Sequence, residues 1–176
     1  HTLPEHFILT LSAIEPRKNI DGLVATMAMI PDRHLVITGI FGSATRALRA
    51  PIARSPAHDR IHLLGPVSDD EKHALLARAD CFVYPSIWEG FGFPPLEAMA
   101  AGVPVVASTG GSLPEILGDA ALLVDPLNPR AIADAITRAC TNDALRQVLI
   151  ARGQSRATAF RWADAGAAVR TLLASI

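Results

Sequence analysis

Six short apolar runs, at residues 7–11, 35–38, 61–64, 81–84, 103–107 and 121–124, restrict this chain to very few folds. They lack the strict polar alternation of a half-exposed strand, so both faces of each must be covered. Between them the sequence carries helix signals. Asn19 precedes Ile20, Leu23, Val24, Met27 and Ile30, an apolar face with helical spacing. Ser68-Asp-Asp-Glu71 has the form of a capping box, opening a helix that runs to about Ala79. Asn128-Pro129 supplies a cap and an N1 proline ahead of residues 130–140, and the chain then stays helical to a last segment at 162–176. Strands alternating with helices predict a doubly wound α/β fold: a parallel, six-stranded, Rossmann-like sheet with helices on both faces. With 176 residues and neither repeat nor linker, residues 1–176 are expected to form a single domain.

Composition removes several classes of partner. A formal net charge of −1 offers no electrostatic footprint for nucleic acid or an anionic membrane, so any anion site must be a local cluster. The six histidines are scattered without metal-ligand spacing, and neither a metal nor another cofactor is expected. Cys81 and Cys140 give no disulfide framework; a reducing cytoplasm is the expected compartment, with peripheral membrane contact left open for a longer protein. The longest apolar stretch, at 98–107, falls well short of the ~20 residues of a bilayer span and is interrupted by Gly102 and Pro104. The chain opens on the polar His1-Thr-Leu-Pro-Glu-His6, only a few residues before its first strand, which reads as a piece of a longer protein.

In a doubly wound sheet ligands bind beyond the carboxyl ends of the strands, where the strand order reverses. For the order 3-2-1-4-5-6 that crevice lies between the first and fourth strands. The loops there are residues 12–18 and 86–95. The first, Ser12-Ala-Ile-Glu-Pro-Arg-Lys18, is not a GxGxxG turn, which disfavours a nicotinamide or flavin dinucleotide. It sets Arg17 and Lys18 at the expected start of a helix, where the macrodipole disfavours cations unless an anion lies between them. Phosphate fits. Two solvated cations offset by Glu15 and Asp21 is the plainer reading, and the position at the switch point argues against it.

The second loop is Ser86-Ile-Trp-Glu89-Gly-Phe-Gly-Phe-Pro-Pro-Leu-Glu97. Gly90 and Gly92 allow close backbone approach to a ligand and present N–H donors. Pro94 and Pro95 are expected to open a helix with Glu97 in its first turn, which keeps that carboxylate ionised. An ionised carboxylate accepts two hydrogen bonds from a vicinal diol, as found in a ribose or a hexose.

Glu89-Gly-Phe-Gly-Phe-Pro-Pro-Leu-Glu97-Ala-Met-Ala-Ala-Gly-Val-Pro-Val-Val106 resembles the signature of family 4 retaining glycosyltransferases. Glu15-Pro-Arg-Lys-Asn19, Leu64-Gly-Pro-Val67, Ala79-Asp-Cys-Phe-Val-Tyr-Pro-Ser86, Ser112-Leu-Pro-Glu115 and Gly118-Asp-Ala-Ala-Leu-Leu-Val-Asp-Pro126 extend the resemblance over essentially the whole chain. It implies one half of a two-domain GT-B enzyme: the C-terminal domain, which holds the nucleotide sugar, without the N-terminal acceptor domain. By the same resemblance Glu89 binds hydroxyls of the transferred sugar, assisted by backbone near Phe91 and Gly92, and Glu97 binds the ribose diol. Lys18 and Arg17 neutralise the pyrophosphate, and the Val67 backbone meets the base. Gly90, Phe93 and Leu96 complete the implied donor site, with Ser12, which stands with Ala13 where many members carry Gly-Arg.

The implied reaction is metal-independent hexosyl transfer with retention, to a glycan or lipid-linked acceptor bound by the other domain. The chain looks most similar to bacterial mannosyltransferases of surface polysaccharides, which favours GDP-mannose as donor over a UDP-hexose. Three other readings compete. A nucleotide-sugar 2-epimerase would need its own acid–base set, and a receiver-like interaction domain would need acidic strand ends. A non-catalytic nucleotide-binding domain would show nucleotide binding without sugar transfer by the full-length protein.

Overall fold

The computed structural model describes residues 3–39 and 44–175. Six strands, β1 (Phe7–Leu11), β2 (His34–Thr38), β3 (Ile61–Gly65), β4 (Cys81–Tyr84), β5 (Val105–Ser108) and β6 (Ala121–Val124), form one sheet in the order β3-β2-β1-β4-β5-β6. Every described pairing is parallel. Strand order reverses between β1 and β4, as the sequence predicts.

Side chains alternate between two buried layers. Phe7, Leu9, Leu11, Phe82 and Tyr84 face one layer, covered by residues of α3 (Asp69–Arg78), α4 (Phe93–Ala100) and α5 (Leu113–Leu117). Ile8, Leu35, Ile37, Cys81 and Val83 face the other, covered by α1 (Ile20–Thr26), α2 (Ala44–Arg54) and α6 (Pro129–Thr141). Helix α7 (Asp143–Ala157) packs along α4, and α8 (Trp162–Ala174) follows it with none of its residues buried.

Local signals act as expected at two helices. The Ser68–Glu71 capping box is fully formed, and Asn128 caps α6 by accepting from the Ala131 N–H at 3.0 Å. The fifth strand begins two residues later than the apolar run implies, because Pro104 has no N–H for the ladder. Pro104 contributes its carbonyl instead, accepting from the Phe82 N–H at 2.9 Å. Asn19 does not cap α1 with its side chain. It takes a left-handed backbone conformation (φ 53°, ψ 37°), and its amide donates to the Pro126 carbonyl at 2.6 Å, tying the first loop to the one after β6.

Candidate functional site

The two loops at the strand reversal are joined directly: the Ile87 N–H donates to the Arg17 carbonyl at 2.7 Å. Arg17 and Lys18 lie not in a helix but in a 3-10 turn, Pro16–Lys18, closed by left-handed Asn19 ahead of α1. That corrects the expected placement at a helix start. The turn sends the two side chains toward the loop after β4, where the compensating anion is Glu89.

Lys18 is buried at 7% exposure and Glu89 at 6%. The Lys18 ammonium donates to Glu89 Oε1 in a very short contact, and to the Tyr84 hydroxyl at 2.7 Å. Arg17 Nη1 reaches the same Glu89 oxygen at 3.2 Å while its Nε pairs with Glu15 Oε2 at 2.9 Å. Two cations and two carboxylates therefore sum to zero formal charge. Burial would raise the Glu89 carboxyl, but the hydrogen bond from Lys18 and the charges of Lys18 and Arg17 outweigh it and hold the group below the usual range. The Tyr84 phenol moves the other way, pushed up by burial and by the Glu89 charge, so it stays protonated as a neutral partner for the lysine.

Glu89 is positioned from beneath by a loop that the sequence reading did not place in the site. Ser112 donates its N–H to the Glu89 carbonyl at 3.0 Å, and its hydroxyl reaches the Glu89 and Phe91 carbonyls at 3.2 and 3.3 Å. Gly111, at φ +62°, passes so close that a Cβ there would lie 2.8 Å from the Glu89 nitrogen and closer still to its carbonyl oxygen. The signal was available as a glycine pair, Gly110-Gly111, just past the carboxyl end of β5. Tyr84 could likewise be found as the last residue of β4.

Above this cluster is a cleft of about 330 Å³ lined by Ser12, Arg17, Lys18, Tyr84, Glu89, Phe91, Gly92, Phe93 and Pro94, among others. The structure thus brings together seven of the predicted site residues, with Tyr84 and Pro94, around one opening. The Ser12 hydroxyl is spent on the Ala13 carbonyl at 2.8 Å, leaving its position at the rim rather than a free donor. Gly90 is exposed, with nothing within 4 Å of a Cβ placed on it.

Glu97 and Leu96 stand apart from that cleft. Helix α4 begins at Phe93 behind left-handed Gly92 (φ 96°), with the prolines already inside it, so Glu97 falls in the second turn and not the first. The helix terminus therefore does little for its charge. Its partner is Lys72 of α3, Nζ to Oε1 3.4 Å. Glu97 and Leu96 line a second cleft of about 510 Å³ between α4 and the α7–α8 elbow, sharing Phe91 and Phe93 with the first. Phe93 stacks on Trp162 there at 5.7 Å between ring centroids. Val67 lies in the loop between β3 and α3, half-buried against the core.

A doubly wound sheet with paired cations and carboxylates where its strand order reverses sets a charged cluster at the crevice where α/β domains of this kind hold their ligands. The sequence matches the family described as Glycosyl transferases group 1 over residues 2–156, and the chain belongs to that family. It is 40% identical over 161 residues to O-antigen chain mannosyltransferase B of Escherichia coli, a match covering 89% of this chain and 42% of that protein. Sucrose-phosphate synthase from Thermosynechococcus elongatus superposes with a TM-score of 0.90 at 31% identity, over 99% of this chain and 47% of that one. Anabaena HepE, solved with UDP-glucose, shares the fold at a TM-score of 0.87 and 23% identity, over 98% and 49%. The chain therefore spans about half or less of the length of the proteins it matches. Among the described residues, no helix is long and apolar enough to cross a membrane, and no three His, Cys, Asp or Glu side chains are grouped to hold a metal.

Proposed function

We propose that this chain is the donor-binding half of a retaining hexosyltransferase. It would hold a nucleoside-diphosphate sugar, with GDP-mannose favoured, for transfer by the full-length protein to a glycan or lipid-linked acceptor. The observation that carries this reading is the buried Lys18–Glu89 pair at the strand reversal, joined by the exposed Arg17. Pyrophosphate would draw Lys18 and Arg17 away from their carboxylates. Glu89, released in part, would then accept from hydroxyls of the sugar next to the phosphate. The two cations would stabilise the charge that develops on the departing diphosphate, a task some transferases give to a metal ion. Glu89 is unsuited to be a covalent nucleophile: a carboxylate held by two cations is a weak base and a weak attacker. That favours a front-face route in which the leaving phosphate helps take the acceptor proton. The similarity to an O-antigen mannosyltransferase supports mannose as the transferred sugar.

Calorimetric titration of the chain with GDP, UDP, ADP and GDP-mannose, with and without EDTA, tests the reading. Tightest binding of GDP and GDP-mannose, indifferent to EDTA, is expected. Binding that vanishes with EDTA would sink the metal-free part of the proposal, and preference for UDP would move the donor to a UDP-hexose. In the same assay Glu97→Ala should weaken GDP by about 2–4 kcal/mol through loss of two charge-assisted bonds to ribose. Glu89→Gln should separate base from sugar. Bare GDP binds as well or better because both cations are freed, while the added contribution of mannose disappears. Equal losses for GDP and GDP-mannose would refute that division of roles.

A further inference from the structure

The two cysteines meet at the end of the sheet opposite the candidate site. Cys81 is the first residue of β4 and fully buried, while Cys140 sits in the last turn of α6, half-buried against the same apolar layer. They are 59 positions apart in sequence, yet their thiols lie within hydrogen-bonding distance of each other, and both are free. Cys140 also lines a small cleft of about 150 Å³ with Arg33, Thr137 and Thr141. One thiol is thus sheltered, and its neighbour is open to a small reagent.

Cys140 differs from an inert core thiol. The hydrogen bond from Cys81 holds it below the usual thiol range, with the Arg33 guanidinium assisting against burial and the Asp80 charge. Donating that bond, together with full burial, pushes Cys81 up, so Cys81 is the member that keeps its proton. Arg33 can turn to the thiol because its pairing with Asp80 is poorly aligned. Its Nε lies 3.3 Å from Asp80 Oδ2, and neither buried atom completes a hydrogen bond. A partly accessible thiol of lowered pKa beside a guanidinium, with a second thiol behind it, has the parts of an attacking and a resolving cysteine.

We propose that Cys140 and Cys81 form a reversible disulfide on exposure to hydrogen peroxide, with Cys140 attacking and Cys81 resolving. The Cys140 thiolate bonds to one peroxide oxygen as the O–O bond breaks. The sulfur becomes a sulfenic acid, and the departing hydroxide takes up the proton that Cys140 gave off, leaving as water. The Cys81 sulfur then displaces the sulfenic hydroxyl, which leaves as a second water with the Cys81 proton. Two thiols have lost two electrons and two protons, and one peroxide has been reduced to two waters. A dithiol reductant restores both thiols by exchange.

The test treats the reduced, folded chain with hydrogen peroxide and follows it by intact mass and peptide mapping. The expected product is a monomer lighter by two hydrogens, with Cys81 joined to Cys140, that reverts under dithiothreitol. Closing a loop of this length should raise the melting temperature by roughly 5–15 °C. In Cys81→Ala, which lacks the resolving thiol, a dimedone adduct should accumulate at Cys140, whereas Cys140→Ala should leave Cys81 unmodified. A Cys140 that stays reduced in the folded chain would overturn the proposal, as would one carried to sulfinic acid with Cys81 untouched. A disulfide joining two chains through Cys140, or one that forms only in denaturant, would overturn it as well.

Discussion

Replacing Lys18 with Met should abolish measurable diphosphate binding and lower stability by about 3 kcal/mol. The second effect follows from burial: Glu89 keeps its charge among buried neighbours while its closest partner disappears, and breaking a buried pair one-sidedly is costly. Arg17 still reaches Glu89 at 3.2 Å, which keeps the loss at the lower end of the usual range. For a chain of this size the melting temperature should fall by roughly 6–12 °C. The double variant Lys18→Met, Glu89→Gln separates folding from function. With neither charge buried, most of the stability should return, because a buried ion pair is often no better than a neutral replacement. Diphosphate binding should not return. A double variant that melts as low as the single one would show that Lys18 matters chiefly for packing, and recovered binding would remove it from the phosphate site.

Gly111→Ala should be nearly as damaging, by about 2–5 kcal/mol. A left-handed backbone costs an alanine about 1–2 kcal/mol, and overpacking a tight contact adds about 1–3. Here the obstruction is the backbone of Glu89, which cannot rotate away as a side chain would. Relief must come from displacing the loop that carries Glu89, so sugar recognition should fail in whatever fraction still folds. Gly90→Ala, one residue past Glu89, has open space around its Cβ and should melt within a degree or two of the unaltered chain. Chemical denaturation of the two variants side by side measures the contrast. Similar stabilities would mean that the Gly111 loop can shift freely and does not hold Glu89 in place.

Much of the architecture was legible because it is written locally. Unbroken apolar runs mark strands covered on both sides, and Ser68-Asp-Asp-Glu71 marks a helix start whatever surrounds it. Knowing the strand order then places Ser12, Arg17, Lys18 and Glu89 at one crevice. The errors came where local rules compete. Two prolines ahead of Glu97 look like a helix beginning, but Gly92 turns the chain two residues before the first of them, and Glu97 moves into the second turn. Asn19 has the residue type of a cap, but its amide serves a distant carbonyl. What the sequence left hidden are contacts between loops from different strands. Glu89 meets Lys18 across 71 positions, Glu97 meets Lys72 across 25, and Gly111 supports Glu89 from another strand end. No propensity or spacing encodes those meetings; the sheet makes them.

Because Arg17 and Lys18 are already matched by Glu15 and Glu89, a diphosphate held here as proposed would bind by exchange. Each hydrogen bond it gains is one that a carboxylate gives up, so the net gain is a difference between two similar sets. Departure is easy for the same reason, since the carboxylates remain within reach to reclaim their cations. There is also no large net field to draw the ligand in, so association should proceed at an ordinary diffusive rate with shallow salt dependence. For the transfer proposed above, in which spent nucleotide must leave before every new cycle, such a site would trade tightness for turnover.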